Sequence, residues 1–220
     1  MRTFDEIFKI AADRHSGAAA LDAKIGKPTP KVTLAKIAED RWLSSMTRCV
    51  FNAGFNWKVI DAKWDGFEVA FHGFNVDRCA MMDDVWLDAL LKDTSIVRNG
   101  AKILTVRDNA VFLQDLRAGG GVAKVIANWP PEDYIGLLAM LKTRGSRLGG
   151  ATSQYLLRFS GVDSFILSSD VTARLIAEGI IDKTPTSKGA MRAVQQAFND
   201  WRGQSGRSLT EISRVLAMSV

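Results

Sequence analysis

The chain predicts an all-α protein, and three observations carry that expectation. Apolar residues recur at three- and four-residue intervals along most of its length, the spacing that lays a stripe on one helix face. No stretch sustains the apolar–polar alternation of a half-buried strand. Glycine and proline clusters fall between the periodic segments, where they punctuate helices.

Taken in order, residues 4–14 set Phe4, Ile7, Phe8, Ile10 and Ala11 at helical spacing, and GKPTP at 26–30 is a surface connection. Residues 34–51 carry Leu34, Ile37, Ala38, Trp42, Leu43, Met46 and Val50 on one stripe and read as a single helix, which Gly54 ends. Asn56 opens the next helix, to 62, and 67–71 is a short helical piece with Phe67, Ala70 and Phe71 inward. The pattern continues over 84–93 and 102–116. Asp83 or Asp84 caps the first of these, because a carboxylate accepts from the free amides of a first turn. AGGG at 118–121 is a flexible joint, and Trp129-Pro130-Pro131-Glu132 is a helix start. Helices follow over 134–143, 152–160, 169–178, 187–201 and 208–218. The last carries Leu209, Ile212, Val215 and Leu216 on one stripe and reads as closing the core rather than as a dimer surface.

At 220 residues the chain is long enough to bury a full core. A hydrophobic content of 47% with mean hydropathy near zero fits an ordinary globular protein, and no apolar run approaches the roughly 18 residues that would suggest a membrane span. The N-terminus mixes acids and bases from the start, unlike a secretory leader. Two cysteines and two histidines without close spacing make neither a disulfide framework nor a metal site. A reduced, cytoplasmic protein is expected. The net charge is +5, and all of it comes from residues 141–220, since acids and bases balance before that. From 136 to 162 there is no acid, while Lys142, Arg144, Arg147 and Arg158 fall inside. Such a patch attracts phosphate; the alternative is a solvated basic face.

Between the helices at 134–143 and 152–160 lies RGSRLGGA, residues 144–151. Glycines let a backbone approach closely, and the first amides of the following helix are free donors to an anion. A phosphate beside Gly149, Gly150, Ala151 and Thr152 would also meet Arg144 and Arg147. A tight helix connection with no ligand is the plainer reading of the same glycines.

Three blocks give the chain a family likeness: CVFNAGFNW at 49–57, IVRNGAKI at 96–103 and RGSRLGGATSQYLLRFSG at 144–161. Over roughly residues 34–165 the chain resembles the bacterial 3-methyladenine DNA glycosylase I family of the helix-hairpin-helix superfamily. That family has an AG-x-x-W block, an I-[IV]-R-x-x-x-KI block and an RG-x-x-x-x-G-x-T block in this order. The resemblance implies a single glycosylase-like domain over 1–220, with two helical lobes, a base pocket between them and a hairpin motif at about 134–160. It implies double-stranded DNA with alkylated bases as partner, a monomer, and a monovalent cation as a resident of the hairpin.

The same resemblance places the base pocket. Trp57 matches the tryptophan that stacks on the lesion, against the alternative of a core tryptophan. Phe55 and Asn56 occupy the turn that approaches the gap left by the extruded base, so an exposed Phe55 would be a wedge and a buried one ordinary packing. The family's lesion-recognising glutamate falls at Cys49, and its Gln-Gln pair falls at Phe51-Asn52, so that Asn52 alone keeps an amide. The family's structural zinc has no matching Cys and His residues here, and no metal is expected. The superfamily's catalytic aspartate falls at Ser168, with Asp170 two residues on as a catalyst or as the cap of the next helix. Asp61, one turn beyond Trp57, is a second carboxylate for the pocket or an ordinary surface group. No lysine stands between Lys142 and Lys183 to act as a lyase nucleophile. The resemblance therefore implies a monofunctional hydrolase that removes alkylated bases such as 3-methyladenine in base excision repair. The alternative is a catalytically inactive or altered-specificity relative that binds damaged DNA.

Overall fold

In the computed structural model, which describes residues 1–220, fifteen α-helices and three short 3-10 turns follow one another, and no residue lies in a strand. The chain begins with α1 (Phe4–Arg14), α2 (Ala18–Lys24) and α3 (Lys31–Leu34). It continues through α4 (Glu39–Asn52), α5 (Trp57–Ala62), α6 (Trp64–Ala70), α7 (Val76–Ala80), α8 (Asp84–Lys92), α9 (Gly100–Leu116) and α10 (Val122–Ala127). The last five are α11 (Tyr134–Arg144), α12 (Ala151–Phe159), α13 (Ser169–Ala177), α14 (Lys188–Ser205) and α15 (Leu209–Met218).

Side-chain oxygens start most of the long helices by accepting a first-turn amide. Thr3 and Ser208 do so with Glu6 and Glu211 returning the bond to the cap amide, a reciprocal capping box. Asp83, not Asp84, caps α8. The helix expected over 34–51 starts only at Glu39: Leu34 is the last residue of α3, and residues 35–38 turn between the two. Ala38 is extended (φ −65°, ψ 151°), and α4 starts with Glu39 and Asp40 in its first turn, where the positive helix end favours carboxylates. The stripe looked continuous because Leu34 and Trp42 are both buried on either side of the bend. Helices α2, α7 and α10 were not expected, being too short to show a 3.6-residue period. Asp170 does not cap α13: Ser168 is the cap, its hydroxyl accepting from the Val171 amide at 3.2 Å. A serine two residues earlier has the extended backbone a cap needs, whereas Asp170 is already helical.

The chain forms two compact units. The terminal unit comprises Met1–Thr29, Trp129–Leu137 and Leu157–Val220. Its core gathers Phe4, Ile7, Leu21, Leu175, Val194, Leu209, Ile212 and Val215, all essentially sealed from water. Through it runs a file of rings: Tyr134 edge-on to Phe165 at 4.6 Å, Phe165 stacked on Phe198 at 4.3 Å, and Phe198 edge-on to Trp201 at 5.8 Å. Each such side chain contributes about 1.5–3 kcal/mol by leaving water. Arg174 donates to the hydroxyl and carbonyl of Ser219, tying α13 to the end of α15. Glu178 accepts from the amide and guanidinium of Arg2 and from Arg174, so a buried carboxylate is paired on several sides.

The central unit comprises Pro30–Asn128 and Leu138–Leu156. Helix α9 runs through it and packs against α4, α7, α8 and α10. Trp42, Leu43, Met46, Val50 and Phe51 of α4 meet Ile103, Val106, Ala110 and Leu113 of α9 in the core. Beside them Phe51 lies edge-on to Phe67 at 4.7 Å, and Trp64 stacks on Phe67 and Phe74 at 5.1 and 5.7 Å.

Candidate functional site

The turn after α4 sends two aromatic side chains of this unit outward. Helix α4 stops at Asn52, because Ala53 turns extended (ψ 114°) and Gly54 takes φ +73°, a left-handed conformation that a side chain disfavours. The Phe55 amide closes the turn on the Asn52 carbonyl at 3.1 Å. Asn56 then accepts from the Lys58 amide at 3.0 Å and starts α5, which leaves Trp57 as its first residue. Phe55 and Trp57 are 43% and 42% exposed, so neither is a core residue. Trp57 meets the edge of Tyr155, from α12, at 5.6 Å and 89°.

Beneath the turn the chemistry is polar and uncharged on one side and cationic on the other. Cys49 is buried, and burial pushes its thiol up to about 12 against the opposing Arg48 charge, so it is a neutral group. Asn52 is buried too, and its Oδ1 has no hydrogen-bond partner. Lys102, at the start of α9, is only 7% exposed. Its Nζ donates to the carbonyls of Phe51 at 3.1 Å and Ala53 at 2.6 Å, and lies 5.0 Å from the centre of the Phe55 ring. Burial, and after it the charge of Arg147, pushes the lysine pKa down. Asp61 is exposed and held by Arg48 at 2.6 Å, with Arg48 itself 4.9 Å over the Trp64 ring.

The turn of the hairpin belongs to the same unit, which takes in Leu138–Leu156. Helix α11 ends at Arg144, and Gly145 folds so tightly that an added Cβ would lie 2.8 Å from the Leu141 carbonyl oxygen. Arg147 and Gly150 both take left-handed φ angles, 57° and 59°, and Leu148 between them is fully buried as an anchor. Asn109 of α9 holds the Ser146 backbone from both sides, accepting from its amide at 2.7 Å and donating to its carbonyl at 3.1 Å. Gly149, Gly150, Ala151 and Thr152 form the entry to α12, and Gly150 and Ala151 are exposed. Arg144 lies over the Phe112 ring at 5.4 Å and 3.7 Å from Asp115, still 44% exposed. In the terminal unit, Ser168 is committed to its cap, and Asp170 is exposed in the first turn of α13, accepting from the Ser169 hydroxyl at 3.3 Å.

Residues 36–134, which include the turn, Cys49, Lys102 and Asn109, match the model of the methyladenine glycosylase family. Among solved structures, a crystal structure of 3-methyladenine DNA glycosylase I is 21% identical with a TM-score of 0.50, over 62% of this chain and 82% of that one. A single-residue variant of 3-methyladenine DNA glycosylase I in complex with 3-methyladenine is 19% identical with a TM-score of 0.52, over 62% and 81%. The chain shares the fold of 3-methyladenine DNA glycosylase I and, over residues 36–134, the family's sequence signature. A comparison with curated proteins finds no match.

The glycosylase family match stops before the hairpin, so the hairpin rests on its own residues and geometry. No group of three or more His, Cys, Asp or Glu side chains stands in reach of one ion. No helix is long and apolar enough to cross a membrane. The structure brings Cys49, Asn52, Phe55 and Trp57 together around one turn. It also supplies three residues that sequence reading passed over: Tyr155 and Lys102 beside this turn, and Asn109 at the hairpin. A lysine and an asparagine seven residues apart in a helix whose neighbouring positions Ile103, Val106, Ala110 and Leu113 are apolar were the available signal for two of them.

Proposed function

We propose that the protein is a monofunctional DNA glycosylase that hydrolyses the N-glycosidic bond of alkylated bases such as 3-methyladenine. The observation that carries this reading is the pair of half-exposed aromatic rings, Phe55 and Trp57, on one tight turn above the unpartnered Asn52 Oδ1. An enzyme acting on a base must extrude it from the stack, hold it against apolar and aromatic surfaces, and read its polar edge. Trp57 serves as the stacking face, and Phe55 fills the space the base vacates. A cationic purine gains up to roughly 2 kcal/mol from an electron-rich ring once water is excluded. Asn52 Oδ1 is an acceptor in search of an N–H, which an adenine amino group supplies. Cys49 packs beside it as a neutral thiol.

In the reaction, water adds to C1′ as the C1′–N bond breaks, and the base leaves with the bonding electrons. An N3-alkylated adenine starts with a positive charge and departs neutral, so its leaving group needs no proton. The proton lost by water passes to solvent or to a carboxylate, for which Asp170 and Asp61 are the groups offered. DNA is held through phosphates at Gly149, Gly150, Ala151 and Thr152, with Arg144 and Arg147 adding charge, in contacts that position the protein without reading sequence. A monomer and a monovalent cation in the hairpin belong to the same proposal.

A second reading has its own support: Cys49 is a neutral thiol, Ser168 is engaged as a cap, and Asp61 is held by Arg48. These are the traits of a relative that binds damaged DNA without releasing a base. Release of free 3-methyladenine from methylated DNA separates the two. Wild type should release the base, Trp57→Ala should not, and Asp170→Asn reports whether that carboxylate takes the proton. Salt-sensitive DNA binding by wild type with no base release would establish the binder instead.

A further inference from the structure

Helix α9 ties together the two parts of the central unit that the proposed function uses. At its N-terminal end, Lys102 Nζ donates to the carbonyls of Phe51 and Ala53. These lie at the C-terminus of α4, where carbonyls lack intrahelical partners and the helix dipole favours a cation. The partners are carbonyls rather than a carboxylate, and the Phe55 ring lies 5.0 Å from the ammonium. The lysine therefore pins both the start of the turn and the ring at its tip. Seven residues later Asn109, with no exposed surface, grips the hairpin by the amide and carbonyl of Ser146. Its neighbour Asp108 accepts from the Ser146 hydroxyl at 3.1 Å. Seven residues are two helical turns less about 20°, so both side chains leave one face of α9, about 10 Å apart along its axis.

We propose that Lys102 and Asn109 are positioning residues that fix the spacing between the base-stacking turn and the phosphate-binding hairpin through one rigid helix. The proposal rests on the function proposed above. A duplex gripped at the hairpin then meets Phe55 and Trp57 at one set distance, where a nucleotide leaves the stack. Each residue acts through a different part: Asn109 through the hairpin on affinity, Lys102 through the turn on extrusion.

That division gives a split that a general loss of structure would not produce. The probes are an undamaged duplex for affinity, and a duplex carrying a tetrahydrofuran abasic analogue beside 2-aminopurine, whose fluorescence rises as the neighbouring stack opens. Asn109→Leu should weaken duplex binding about tenfold, the equivalent of ~1.4 kcal/mol, and leave the fluorescence gain at saturating protein unchanged. Lys102→Met should keep duplex affinity within about twofold and lose most of the fluorescence gain. Where either variant fails to fold, Asn109→Asp, which keeps only the acceptor, or Lys102→Arg, which keeps the charge with a different reach, carries the same split. Affinity and fluorescence falling together in both variants, or neither changing, would overturn the proposal. Both readouts work without bond cleavage, so absence of base release by wild type sinks the glycosylase reading and leaves this test standing.

Discussion

Asn52 shows how a single residue separates stability from use. Its Oδ1 is buried without a partner, and leaving a buried acceptor unsatisfied costs about 1–3 kcal/mol. A leucine of similar volume removes that penalty. Asn52→Leu should therefore melt at an equal or higher temperature than wild type while losing base release or lesion binding. A clear drop in melting temperature would mean that the amide is satisfied in the folded protein and does not wait for a ligand. Cys49, one turn earlier on α4, plays the opposite part: a neutral thiol is content in an apolar site, so its position makes no demand that a base must meet. Both residues were legible in sequence as positions just ahead of the AG-x-x-W block. Their burial was not, since a residue's exposure depends on what the rest of the chain lays over it.

Helices here are bounded by side-chain caps, and the element around Ser168 matters most for the chemistry. The superfamily resemblance puts a carboxylate at this position; the serine accepts the Val171 amide and starts α13. Serine and aspartate cap equally well, whereas alanine cannot, at a cost of about 1 kcal/mol. Ser168→Ala should lower unfolding free energy by roughly that amount, and Ser168→Asp should leave it within a few tenths, as read by urea denaturation. Equal losses in both variants would show that the hydroxyl has a role besides capping. Element ends were legible where a capping residue precedes an apolar stripe, as at Thr3, Asn56 and Ser208. The break between α3 and α4 was not, because no glycine or proline marks it and both sides bury apolar residues.

At the scale of the whole molecule, the terminal unit is fastened by a small charged network around Glu178. Burial pushes this carboxyl up, but the amide and guanidinium of Arg2, with Arg174, outweigh it and hold the pKa below the usual glutamate range. An unfolded glutamate takes its proton near 4.5, above the folded value. The network's contribution is therefore complete above that pH and disappears as pH falls through the lowered folded value. Glu178→Gln should be less stable than wild type at about pH 7 and should lose less on acidification to about pH 3. Parallel pH profiles for the two proteins would remove Glu178 from the acid response. The all-α class, most helix positions and the family likeness were determined by the sequence alone, because helical period, caps and turn glycines are local properties readable within a few residues. Tertiary structure alone decided that Tyr155 meets Trp57, that Lys102 closes the end of α4 some 50 residues away, and that Asn109 holds the hairpin 37 residues on. Such contacts depend on how helices pack, and packing brings together side chains whose separation along the chain carries no trace of their distance in space.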